Sequence, residues 1–254
     1  MISIKKYYFD GIHNQGNSFI LYEARLKIFG FSIPYSSYML SENGEFVEKS
    51  VLLRSEIGQG NSSFQNEKLK IFGKWQQIDE GFSEVLLDYA IGKLHWDCRV
   101  PKARFQVSIN EKSFEGLGYS ELLMMNFSPW KLPISTLKWG RFLSENHTIV
   151  WIEWQGTHPL KKVYWNGNLV ENVEISDKGI VFYDKNAQLT FENPISIKNE
   201  KLLSIADKYP FLKLFFSKKF LQSREMKFKS KSVFTIDNQS ESGFSLYETV
   251  LWEK

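Results

Sequence analysis

Along most of the 254-residue chain, apolar and polar residues alternate in short runs separated by turn signals. "SFILYEARLKIFG" (residues 18–30) is a long β-type run closed by glycine, and "MKFKSKSVFTI" (226–236) alternates residue by residue. "HTIVWIEWQG" (147–156) is aromatic and β-branched. Successive side chains of a strand point to opposite faces, so a period of two marks a strand. Asn43-Gly44 and Asn166-Gly167 lie between apolar runs. Both residue types tolerate the positive φ that a tight hairpin needs. "DKG" (177–179) and "DKNAQ" (184–188) supply further turns. The pattern predicts an all-β chain of roughly 16 to 18 strands, spaced as in a sandwich or barrel.

One region departs from this pattern. "NEKLLSIADKYPFLKLFFSKKFLQS" (199–223) has apolar residues at Leu202, Leu203, Ile205, Ala206, Leu212, Phe215, Phe216 and Phe220. Many recur at steps of three and four, which predicts a helical stripe. Pro210 should start a second segment or kink a single one. Such a helix would cover an open end of the β structure; its Lys213, Lys218 and Lys219 leave a surface-binding helix as the alternative. Two prolines in "NFSPWKLP" break the strand pattern within 126–137, which divides the chain into domains 1–130 and 131–254. "SFILYEARL" (18–26) is echoed by "GFSLYETVL" (243–251). The echo fits chance, two related β units, or a pair of strands closing a sheet.

Composition narrows the picture. Apolar residues make up 43%, enough for a sizeable core, and aromatics 16%. Aromatic rings suit a pleated, half-buried surface; they predict either an aromatic-lined cavity or a phenylalanine-rich core. The 32 basic and 29 acidic side chains lack the concentrated positive charge that phosphate contacts need, so nucleic acid is not an expected partner. Lys227, Lys229 and Lys231 alternate with Met226, Phe228, Ser230 and Ser232, and so are expected on the wet face of a strand. Cys98 is the only cysteine, which excludes an intrachain disulfide and a thiolate metal cluster. The start "MISIKKYYFDG" has no apolar run suited to a signal peptide, and no stretch approaches the ~20 apolar residues of a membrane helix. The expectation is a cytoplasmic protein without stable membrane insertion.

Several chemistries lack their residues. There is no Gly-x-Ser-x-Gly elbow, and "GQGNSS" (58–63) lacks the lysine of a phosphate loop. His13, His95, His147 and His158 show no metal-ligand spacing. His95 and Cys98 lie three apart, so a strand would turn them to opposite faces. Tyr119 and Glu121 lie two apart and would share a face. If that face meets an apolar cavity, desolvation would raise the Glu121 pKa and suit it to general acid work. Alternatively Glu121 forms a structural ion pair with Arg141 or another base.

The ordered motifs "YYFDG" (7–11), "LHWDCRVPKAR" (94–104), "GLGYSE" (116–121), "LKWGRF" (137–142) and "LYETVLW" (246–252) resemble the lipocalin-like carotenoid 1,2-hydratase superfamily. That group includes hydroxyneurosporene synthases, AttH-type proteins and Diels–Alderase-like pericyclases. The resemblance covers most of the chain and is strongest over 94–142. It implies two consecutive lipocalin-like (calycin) β-barrel or curved-sheet units, with the short helical cover near the C-terminus. It also implies Trp96, Tyr119 and Glu121 as catalytic residues, with the indole face stabilising a cation formed when the acid protonates an alkene. Trp139, Arg141, Tyr8 and Tyr247, from the same motifs, are the candidate ligand-binding residues. The hydratases carry aspartate where this chain has Glu121, and a tryptophan pair where it has Tyr7-Tyr8.

The expected partner is therefore a small, largely apolar, isoprenoid- or polyketide-like molecule. The chain either acts on it as a cofactor-free hydratase, cyclase or isomerase, or carries it without catalysis. No metal is expected at the site: elemental analysis of the purified protein should find no stoichiometric zinc, iron or copper.

Overall fold

The computed structural model describes residues 2–13, 16–42 and 44–253. The chain divides into two compact units, Met1–Ser128 and Pro129–Lys254, which meet inside "NFSPWKLP". The first unit holds β1 (Ile2–His13), β2 (Ser18–Ile28), β3 (Phe31–Glu42), β4 (Glu45–Val51), β5 (Glu56–Ile57), β6 (Ser63–Asn66), β7 (Ile71–Gln77), β8 (Phe82–Tyr89), β9 (Gly92–Ile109) and β10 (Lys112–Met125). The second holds β11 (Ile134–Leu143), β12 (Thr148–Gly156), β13 (Leu160–Trp165), β14 (Asn168–Val170), β15 (Val173–Ser176), β16 (Gly179–Phe182), β17 (Ala187–Lys201), β18 (Arg224–Ile236) and β19 (Gln239–Leu251). Its two short helices are α1 (Leu203–Lys208) and α2 (Lys218–Gln222).

Each unit is one antiparallel sheet, and the two sheets repeat one strand order. The first runs β4-β3-β2-β1-β10-β9-β7-β6-β5, with β8 added on β9; the second runs β14-β13-β12-β11-β19-β18-β17-β16-β15. One sheet curls into a half-barrel and the other into a nearly closed barrel. In this repeat β1 corresponds to β11, β10 to β19 and β9 to β18. The sequence echo is a different matter. Its two copies lie in β2 and β19, which hold different places in the order and do not pair.

The turns follow from residue type. Asn166 and Gly167, at φ 47° and 78°, form the two-residue link from β13 to β14. Gly44, at φ 83°, lies between β3 and β4, while its partner Asn43 is outside the described residues. Residues 177–178 connect β15 to β16, and Asn186, at φ 44°, precedes β17.

The helical region is shorter than its apolar stripe predicts. Asn199–Lys201 remain in β17, registered against Met226–Arg224 of β18, where the ladder satisfies their backbone. The helices then break at Tyr209, and Pro210 opens a 3-10 turn (Pro210–Leu214). Proline is tolerated there because the first N–H of a helix has no intrahelical acceptor to lose. Ser217 caps α2 by accepting from the Phe220 N–H at 3.1 Å. The apolar side of this segment packs on tryptophans: Phe220 lies 6.3 Å from Trp130 and 5.5 Å from Trp252 between ring centroids.

Each sheet has a clear apolar face. In the first unit Phe9, Phe19, Phe64, Trp75, Phe105 and Leu122 belong to one buried cluster. In the second, Phe142, Trp151, Val163, Phe182, Leu189 and Phe234 do so. The lysine stripe of β18 corrects the expectation of a wet face. Lys231 is exposed, but Lys227 and Lys229 are buried, at 2% and 9% exposure. Lys227 bonds Glu248, directly opposite it on β19, and Glu225 at 3.0 Å. Lys198, opposite Lys227 on β17, reaches the same Glu225 at 3.5 Å. Alternation reported correctly that these side chains avoid the apolar cluster; it could not report that their own face is also buried. Lys227→Ala would take the cation from half-buried Glu248 and leave Glu225 with Lys198. It should cost about 3–5 kcal/mol in urea unfolding, while Lys231→Ala should stay within about 0.5 kcal/mol of the parent.

Candidate functional site

Strand pairing assembles the predicted residues of the first unit. Tyr8 on β1 stands directly opposite Glu121 on β10, and Asp10 opposite Tyr119. Residues opposed in an antiparallel pair share a face, so these four side chains lie together, turned away from Phe9 and Leu122. On the other side of β10, Trp96 of β9 is opposite Leu123, one step along from Glu121 on the same face. Tyr119, Glu121 and Trp96 are buried, at 0%, 5% and 1% exposure.

The hydrogen bonds converge on one atom. The Trp96 indole N–H donates to Glu121 Oε2 at 2.5 Å, and the Tyr119 hydroxyl donates to the same oxygen at 2.7 Å. Trp96 thus uses its N–H on the acid, while its ring meets Phe82 edge-on at 5.3 Å. Tyr8 donates to Asp10 Oδ2 at 2.9 Å and packs edge-on against Tyr119 at 6.0 Å. The face therefore holds two buried carboxyls, each with a tyrosine hydroxyl. Asp10 was not singled out from the sequence, although its position two residues after Tyr8 in "YYFDG" places it on the same face.

Electrostatics keep the neighbours of Glu121 neutral. Burial above all, and then the nearby Cys98 and Glu121, push the Tyr119 phenol well above its ordinary range. Tyr119 is therefore a proton-bearing donor. Burial likewise pushes the Cys98 thiol well up, only partly offset by its hydrogen bond with Tyr119. Cys98 is a thiol beside the site and no activated nucleophile. His95 belongs to the opposite face, as its spacing predicts, with Nε2 3.0 Å from Ser83 Oγ.

Local sequence irregularities set this geometry. Between Gly118 and Leu122 the pairing of β10 with β9 shifts twice, because β9 spends extra residues there. Such bulges bend a strand and re-aim its side chains. Pro101, which has no N–H for the ladder, sits within the bulged stretch, a position that tolerates it. Gly118 stands opposite Gly11 and leaves room for large rings on the core face. A Cβ at Gly118 would lie 2.5 Å from the Asp10 carbonyl oxygen and 2.8 Å from Trp75 Nε1. Those two atoms share a hydrogen bond of 3.0 Å.

The remaining predicted residues belong to the second unit and do not all share a face. Trp139 and Arg141 alternate with Gly140, whose opposite partner on β19 is Tyr247. Trp139 and Arg141 thus lie on one face and Tyr247 on the other. Tyr247 stacks on Phe191, with centroids 4.5 Å apart, and burial above all raises its phenol to about 12. Arg141 is fully buried and donates to the Phe244 carbonyl at 3.1 Å.

Two surface pockets lie elsewhere. One, of about 510 Å³, is lined by His147, Phe234 and Glu241 among others; the second, of about 420 Å³, is lined by Lys5, His95 and Met124 among others. Neither of these two is lined by Trp96, Tyr119 or Trp139. Among the described residues, no group of three or more His, Cys, Asp or Glu side chains is placed to hold a metal ion, and no helix is long and apolar enough to cross a membrane.

No family model and no curated protein sequence matches the chain. Its fold recurs among solved structures. A Nitrosomonas europaea protein assigned as AttH aligns with a TM-score of 0.59 over 100% of this chain and 93% of its own, at 8% identity. CghA aligns at 0.58 over 99% of this chain and 88% of its own, at 7% identity. Kievitone hydratase from Nectria haematococca aligns at 0.53, over 98% of this chain and 88% of its own, also at 7% identity. At 7–8% identity, what the chain shares with these structures is the fold.

The glycine at the bulge gives a direct test of this local geometry. Gly118→Val should lower the melting temperature by several degrees, as about 1–3 kcal/mol of overpacking implies. The exposed Lys68→Ala should leave it within a degree or so of the parent.

Proposed function

We propose that the chain binds a small, largely apolar, isoprenoid- or polyketide-like molecule and acts on it by acid catalysis without a cofactor. The observation that carries this reading is the convergence of Trp96 and Tyr119 on Glu121 Oε2. The two neutral donors hold the carboxyl in one orientation and favour its ionised form, while burial favours the protonated one. A carboxyl that transfers a proton passes through both states in each turnover, and these opposed influences keep both within reach.

In this reading Glu121 gives its proton to a double bond, and positive charge develops on the adjoining carbon. A hydratase then forms a carbon–oxygen bond from water, whose spare proton returns to Glu121. A cyclase instead forms a carbon–carbon bond from a second double bond, and loss of a proton to Glu121 completes the step. Tyr119 and Trp96 are positioning residues, and Asp10 with Tyr8 forms the second polar pair of the same face. One solved structure of similar fold carries a reaction in its name, kievitone hydratase. A carrier that uses Glu121 only to anchor a polar group is the second reading, favoured by the deep burial of the acid.

The test begins with solvent extraction and mass spectrometry of the purified protein to identify a co-purifying small molecule. Glu121→Gln retains an oxygen to accept from Trp96 and Tyr119 but has no proton to transfer. Its melting temperature should change little, and turnover should fall about 10²-fold or more. Undiminished turnover would exclude Glu121 as the acid. A sharp loss of stability would mark Glu121 as a charged structural partner instead, since breaking a buried ion pair costs about 3–5 kcal/mol.

A further inference from the structure

The core face of the first unit's sheet does not stay apolar to the strand ends. Two residues beyond Tyr7 and Leu122, a row of directly opposed residues runs Arg25, Lys5, Met124, His95 across β2, β1, β10 and β9. In the next row Lys27 stands opposite Ser3, and the Asn126 N–H donates to the Lys93 carbonyl. These residues border the pocket of about 420 Å³, whose lining has four Lys or Arg side chains, one histidine and no carboxylate.

Not all of this charge is compensated. Glu23 meets Arg25 at 2.8 Å, and Asp88 meets Lys93 at 2.9 Å, both from outside the pocket lining. Lys5 lies over the Tyr7 ring, 5.0 Å from its centroid. Lys27 is exposed and has no carboxylate partner among the described residues. Like charges directly opposite on neighbouring strands destabilise a sheet, yet Lys5 stands opposite Arg25. His95 is half-buried at the pocket, and its Nδ1 is buried with no hydrogen-bond partner. Its Nε2 lies 3.0 Å from the Ser83 hydroxyl, and the tautomer decides which of the two donates. Beside these groups, Met124 and Met125 offer flexible apolar surface that adapts to irregular ligands.

We propose that this pocket binds an amphiphilic carboxylate. Lys5 and Lys27 hold its head, and Met124 takes a short apolar body. Lys5, Lys27 and Met124 lie on the opposite face of the sheet from Glu121, while Ile4 and Met125 of the same lining belong to the face of Glu121 at the strand end. The proposal stands independently of the acid-catalysis reading.

The experiment is calorimetric titration of the full chain with decanoate at low salt, with decanol and inorganic phosphate in parallel. Decanoate should bind saturably at one site and weaken as salt is added. Decanol and phosphate should each bind roughly tenfold or more weakly than decanoate. The Lys5→Ala/Lys27→Ala double variant should lose roughly tenfold or more in decanoate affinity, and Glu121→Gln should bind decanoate as the parent does. If the double variant fails to fold, Lys27→Glu, at an exposed position, carries the same expectation. Absence of saturable decanoate binding would overturn the proposal. So would affinity unchanged in the lysine variants, or decanol or phosphate binding equal to decanoate.

Discussion

A strand buried on both faces has no water on either side to satisfy its polar side chains, and β10 is such a strand over residues 118–122. Leu122 faces the apolar cluster of the first unit, while Tyr119 and Glu121 are buried on the other side. A buried carboxyl without hydrogen-bond donors is strongly unfavourable. Glu121 is therefore tied to the position of Trp96 on β9 and to its own neighbour Tyr119. That position depends in turn on the register of β9, which its bulges reset beside these residues. The close approach of Asp10 and Trp75 to Gly118 completes the chain of dependence.

The repeated strand order places a second carboxyl at the matching point of the other unit. Glu121 faces Tyr8 across β10 and β1; Glu248 faces Trp139 across β19 and β11. The next strand makes the difference. β18 supplies Lys227 to Glu248, whereas β9 supplies Trp96 to Glu121. A lysine favours the ionised acid and fixes it as half of an ion pair. A neutral indole and phenol hold the acid without fixing its charge. The same point of the strand order thus holds an ion pair in one unit and a carboxyl bonded to neutral donors in the other.

The pairing of strands also explains why one sheet can carry two unrelated polar regions. Adjacent residues of a strand point to opposite faces, so Glu121 and Met124 open on different sides. Asp10 and Tyr8 extend the first region, and Lys5 and Ser3 extend the second, along the same β1 strand.

The sequence by itself determined the strands, most turns and the grouping of side chains along each strand, because these follow from local rules: alternation, the φ tolerance of Asn and Gly, and the helical stripe. It also determined that Tyr119 and Glu121 share a face, since that needs only a period of two. It did not determine that Lys227 and Lys229 are buried, that Asn199–Lys201 extend a strand, or that Tyr247 turns away from Trp139 and Arg141. Each of these depends on which strand lies alongside and on whether the second face of a sheet meets water. The meeting of Trp96 with Glu121, 25 residues away in the chain, was decided in the same way. Only tertiary pairing, with its bulges and register, brings such groups within hydrogen-bond reach.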